Sequence, residues 1–203
     1  MKHLLPLPAD TPFGNLALKY VTIIQRLDYI NVMVRMVYQS FERARTQNFS
    51  RDILNHALLS EQVIYWLRKT VDDLIGLHHV LAYREEAGCY PRRVAPDSIG
   101  RLLQQKDVPP LYTGHVPFLN TLNDIANAYK HSFVNSDLTL MGRDEPIVYA
   151  LGLRQNDLSN EPTFHAIPLQ QVVFQFDTFF TVMTAALRKC KIPHLSPRGD
   201  GSA

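Results

Sequence analysis

Two long apolar seams, separated by only a few residues, constrain this chain more than anything else in it. Over about 15–45, Ile23, Leu27, Ile30, Val34, Val37 and Phe41 recur at spacings of four and three, the period of one face of an α-helix. Over about 51–86 the same period returns in Ala57, Ile64, Leu67, Val71, Leu74 and Leu81. Thr46-Gln-Asn-Phe49 joins the two stretches, and Ser50 before Arg51-Asp52 is a helix-start signal. So short a link predicts an antiparallel helical hairpin. With 203 residues, 46% of them hydrophobic, the chain can close a full core around that hairpin as one domain.

The remainder supplies the partners. Gly88-Cys-Tyr-Pro-Arg-Arg-Val-Ala-Pro96 ends the second helix, Asp97-Ser98 can cap a short helix to about 105, and Val108-Pro-Pro-Leu111 is a further break. A central helix is predicted over 118–133, with Phe118, Leu122, Ile125, Tyr129 and Phe133 on its core side. Then the pattern changes: 146–154 and 162–167 are short, rich in strand formers, and joined by a polar loop. They predict a small antiparallel hairpin, to which Asp137–Met141 could add a strand. Pro168 opens a last helix to about 189, with Leu169, Val172, Val173, Phe176, Phe180, Met183 and Leu187 as its buried face. The expected architecture is all-α, an up-and-down four-helix-type bundle with a short extra helix and a β-hairpin inserted before the last helix. Its parts are an extended lead-in at 1–14, the bundle at 15–190 with the hairpin at about 146–167, and a disordered tail at 191–203.

Charge and cysteine usage narrow the setting. A net charge of +2 gives no strong basic field, and no run reaches the roughly 18 apolar residues of a membrane span. The broken start Met1-Lys-His-Leu-Leu-Pro-Leu-Pro8 is unlike a signal peptide. Cys89 and Cys190 lie far apart, as expected of reduced thiols in a cytoplasmic protein. Glu-x-x-His pairs and histidines four apart are both absent, so no metal site is expected. Glycine-rich phosphate loops and nucleophile motifs are absent too, and no cofactor is implied.

Two polar groupings remain. On the central helix Asn120, Asp124, Asn127 and His131, spaced four, three and four, fall on one stripe. On the second helix Glu61, Arg68, Asp72 and His79 share a line at the edge of the seam, and His78 falls within the seam. A buried His78 with one hydrogen bond would tolerate replacement by leucine. The charged row is either a boundary ion-pair row or the lining of a groove or subunit contact.

Ala126-Asn127-Ala-Tyr-Lys130-His131, near the end of an amphipathic helix in a small bundle, resembles the signature region of HEPN-type helical bundles. It is similar as well to bacterial proteins with an Ala-Asn-x-x-Lys-His helix followed by a hairpin and a final helix. The resemblance implies a homodimer that binds RNA, a nucleotide or a protein partner in a bacterial defence or toxin–antitoxin setting. It places His131 and Asn127 on the histidine and polar positions of the family's ribonuclease motif, while the arginine position falls on Ala126. Without an arginine to orient the scissile phosphate, cleavage is not the expected activity. If the protein is an enzyme, the resemblance makes it an endoribonuclease using His131, Asn127 and Asp124. The candidate binding residues are Asn120, Lys130, Arg68, Asp72 and His79. The alternative is a homodimeric interaction module without a ligand.

Overall fold

The structure, a computed structural model, describes residues 10–47, 50–133 and 144–190. The expected tail, the possible strand at Asp137–Met141 and most of the lead-in lie outside them. The described residues form helices α1 (Leu16–Gln47), α2 (Ser50–Ala87), α3 (Ile99–Leu103), α4 (Pro110–Thr113), α5 (Val116–His131) and α6 (Leu169–Lys189), with strands β1 (Ile147–Gly152) and β2 (Thr163–Pro168) before α6. The chain is a mostly helical bundle with a two-stranded antiparallel insertion, as the seams and the strand formers predict.

Contacts at matching heights show that successive long helices run up and down. Phe41 meets His56 and Tyr29 meets Trp66, so α1 and α2 are antiparallel. His78 meets Tyr112 and Arg68 meets Asn123, so the α4–α5 segment climbs back along α2. Asn15 starts α1 by accepting the Leu18 N–H at 2.9 Å, an ordinary N-cap. α3 takes its cap from elsewhere. Ser98 turns its hydroxyl to Asp97, and the Ile99 N–H donates instead to Asp72 Oδ1 of α2 at 2.8 Å.

The seams are buried at Ile23, Ile30, Val37 and Phe41 on α1, and at Ile64, Leu67, Val71, Leu74 and Leu81 on α2. Three expectations need correction. Ala57 is exposed, because the first turns of α2 bury His56 and Ser60 instead, with the His56 ring 5.6 Å from Phe41. Phe133 is exposed, because α5 ends at His131 and the helical period no longer applies. On α6 the wholly buried ring is Phe179, while Phe180 is only partly buried.

His78 is half-buried, and its Nδ1 lies 3.0 Å from the Tyr112 hydroxyl. Burial pushes the His78 imidazole down and the Tyr112 hydroxyl well up, so both stay neutral and share one hydrogen bond, whose donor is set by the ring tautomer. Tolerance of leucine at position 78 is therefore not expected after all. His78→Leu strands a buried hydroxyl and should cost about 1–3 kcal/mol. Tyr112→Phe in the same chain should recover part of that loss, leaving a coupling of about 1 kcal/mol in a double-mutant cycle read by urea unfolding. Strict additivity would disprove the pairing.

Candidate functional site

The stripe on α5 is met by the β-hairpin. β1 and β2 pair antiparallel with Gly152 opposite Thr163 and Ala150 opposite His165. The Tyr129 hydroxyl of α5 donates to the Tyr149 carbonyl of β1 at 2.7 Å and ties the two units together. Burial pushes that hydroxyl well up, so it remains a donor. Thr163 and His165 stand two apart on one strand and therefore share a face. Across from Thr163, Gly152 has no side chain, which leaves room beside α5.

The result is a cleft of about 500 Å³ between the last turns of α5 and the end of the hairpin. Asp124, Asn127, His131 and Ser132 line one wall, and Arg154, Gln155, Thr163 and His165 line the other. Its volume lies in the range of small-ligand sites. Ser132 Oγ is buried there without a hydrogen-bond partner, an unfilled polar group of the kind a ligand or water satisfies.

The wall carrying Arg154 is locally strained. Gln155 and Asn156 both adopt left-handed backbone, φ 57° and 54°, a region that costs a non-glycine residue about 1 kcal/mol or more. Asn156 offsets the cost locally. Its Nδ2 donates to the His131 carbonyl at 2.9 Å, and its Oδ1 accepts the Phe133 N–H at 2.8 Å. One side chain thereby closes the C-terminal end of α5 and fixes the turn that presents Arg154. The Arg154 carbonyl is held as well, accepting from the Asp157 N–H and from Asn160 Nδ2.

Three of the four stripe residues, Asp124, Asn127 and His131, come together in this cleft, whereas Asn120, one turn before Asp124, is not part of its lining. Lys130 is exposed beside it and does not line it either. Ala126, where the resemblance would need an arginine, is buried in the core. A guanidinium there would be desolvated rather than presented, so replacing Ala126 with arginine cannot rebuild the motif. The charged row of α2 goes into packing. Arg68 Nη2 donates to Asn123 at 3.2 Å, Asp72 caps α3, and the His79 ring lies 6.3 Å from Tyr83. Burial pushes the Asp72 and Glu61 carboxyls up; for Asp72 the Ile99 N–H and neighbouring cations oppose the shift.

Arg154 and His165 are the residues that sequence reasoning did not single out. The alternation of Thr163 and His165 with Phe164 and Ala166 is the one local hint that His165 shares a polar face. Two imidazoles, one guanidinium, two amides and a single carboxylate can bind an anion from several sides. The α5 terminus and Asp124 contribute negative character, so attraction for an anion depends on Arg154 and the imidazoles. Among the described residues, no group of three or more histidine, cysteine, aspartate or glutamate side chains is placed to hold a metal ion, and no helix is long and apolar enough to cross a membrane. No protein-family model, curated protein or solved structure matches the chain.

Proposed function

We propose that the cleft binds the phosphate of RNA or of a nucleotide, with Arg154 as the phosphate contact and Asn127, Gln155 and Thr163 as polar contacts. The observation that carries this reading is the convergence of Arg154 with His131 and His165 in one cleft. The hairpin supplies an arginine that α5 lacks. A guanidinium matches a phosphate in planar, two-pronged geometry, and imidazoles add donors without a permanent charge.

The two imidazoles also favour a second reading. An imidazole can act as general base or general acid near neutral pH, and a phosphodiester bond with a neighbouring 2′-hydroxyl needs one of each. On that reading the protein is an endoribonuclease, His131 and His165 divide the two proton transfers, and Arg154 stabilises the charged transition state.

Titration of a fluorescent single-stranded RNA oligonucleotide, with a free nucleotide as competitor, tests both readings. Arg154→Ala is expected to weaken binding about tenfold, the effect of one charge-assisted hydrogen bond. It should also reduce the slope of log affinity against log salt by about 0.7, the value for one phosphate contact on a single strand. Cleavage seen on a gel and lost in His131→Ala would establish the enzyme. Wild-type protein that binds neither probe, or binding indifferent to Arg154, overturns the proposal.

A further inference from the structure

α1 is a 32-residue helix that packs chiefly on one neighbour, α2. A helix in that position ordinarily turns a polar face outward. α1 does not. Leu18, Val21, Tyr29, Val32 and Met36 are all exposed, stepping along the helix mainly by threes and fours with Gln25 bridging the gap. The patch continues onto α2 through ring contacts. Tyr29 and Tyr65 each meet Trp66 edge to face, with centroids 6.0 and 5.0 Å apart. Tyr29 is nevertheless 51% exposed and Tyr65 56%. Aromatic rings already ordered by a neighbour, yet open to solvent, lose little entropy on contact and mark an interaction surface.

The charges beside the patch identify its occupant. Written as a heptad, Tyr29 and Met36 take position a, Leu18, Gln25 and Val32 take d, and Asp28 and Arg35 take successive g positions. Charges at g positions set partner and orientation in paired helices. Asp28 and Arg35 are exposed, and neither joins an ion pair among the described residues. About a two-fold axis between residues 31 and 32, antiparallel α1 helices place Asp28 of each copy opposite Arg35 of the other. The same axis sets Tyr29 of one copy within two residues, about 3 Å along the helix, of level with Val32 of the other. In a parallel pairing these g positions would face e positions, here the buried Met33 and Ser40, and the two charges would gain no opposite partner. Tyr65 lies nearly level with that axis, because Tyr29 faces Trp66 across the hairpin, so α2 adds to the contact.

We propose that this face binds a second copy of the chain, giving a two-fold dimer through antiparallel α1 helices. Such an interface is isologous, one patch complementary to itself. At about 48 Å, α1 is long enough for the 1,200–2,000 Å² that a stable contact buries in total, on the order of 1,600 Å². None of these residues lines the cleft, so the dimer stands or falls independently of the ligand.

Sedimentation of the full chain at micromolar concentration should give twice the 23.2 kDa chain mass. Asp28→Arg alone and Arg35→Asp alone each create two like-charge contacts and should weaken the dimer about tenfold or more. Mixed in equal amounts, the two variants should reassociate, because every cross pair is then of opposite sign. Val32→Glu, at an exposed position that leaves the fold intact by circular dichroism, should give monomers. A wild-type monomer overturns the proposal and leaves the patch to a different partner. So does a dimer indifferent to both charge reversals, or a pair of reversals that fails to reassociate on mixing.

Discussion

Phe179→Ala is expected to lower stability by about 3–5 kcal/mol, the range for emptying a fully buried aromatic site. Phe179 is wholly buried, and its ring is shared by three others. It stacks on Tyr112 with centroids 6.4 Å apart, meets His115 edge to face at 5.3 Å, and packs at 6.1 Å on Phe118. The ring therefore docks α6 on α4 and the start of α5 together, and its neighbours come from two elements that cannot collapse as one. Urea unfolding measures the loss directly, and the melting temperature should fall by about 6–20 °C. Phe180→Ala, at a partly buried position, provides the control and should cost clearly less. Equal losses at 179 and 180 would place the α6 face one residue from where the structure has it.

Asp73→Asn should cost about 2–3 kcal/mol. The carboxylate side chain is only 6% exposed and is held by three cations: Lys19 Nζ at 2.7 Å, Lys69 Nζ at 3.0 Å and Arg26 Nη1 at 2.9 Å. Arg26, 14% exposed, also lies 5.4 Å over the Trp66 ring. Breaking a buried pair strands a charge, but the two lysines are largely in water and regain hydration, so the expected loss sits below that of a fully buried pair. Burial alone would raise the Asp73 carboxyl, and the hydrogen-bonded cations outweigh it, so the group is held below its ordinary value of 3.8. The stabilisation is thus complete above pH 3.8 and disappears as pH falls through the lower folded value. An earlier acid loss comes from His56 and His78, which burial pushes below 6.5. Because the unfolded chain takes up those protons first, stability declines once pH drops below 6.5. Asp72 and Glu61, raised by burial, act in the opposite direction, so their contribution is lost as pH rises through their folded values. Denaturation midpoints collected from pH 7 down to pH 2 should show the step below 3.8 in the wild type and lack it in Asp73→Asn.

The parts of this fold visible in the sequence are those governed by a local period. The spacing of Ile23, Ile30 and Val37, and of Ile64, Leu67, Val71 and Leu74, is enough to place two helices and their buried faces, because burial repeats every three or four residues. The same period collects Asp124, Asn127 and His131 on one line. It does not show that the line faces a cleft, because the opposite wall comes from strands whose register rests on a loop and a pair of left-handed residues. Arg154 and His165 reach the site only through that register. Ala57 and Phe133 show where the period itself gives out. Near a helix end, a long-range contact such as that of His56 with Phe41, or simply the last turn, decides which side chain is covered. Phe180 was expected on the buried face and Phe179 was not. With Phe179 and Phe180 side by side, the pattern alone does not decide which of the two rings sits at the centre of the face.

The cap that Asp72 lends to α3 also bears on the order in which the chain folds. Five residues are far too few for a helix to persist alone, since nucleation is unfavourable and little propagation follows. The carboxylate that satisfies the first amide of α3 comes from 27 positions upstream. It is in place only when α2 has formed and the intervening loop has closed, an entropic cost that falls before any gain is made. α3 accordingly has its cap only where α2 is already formed. Within the charged row, Asp72 thus couples α3, which packs against both α2 and α5, to the helix that supplies its cap.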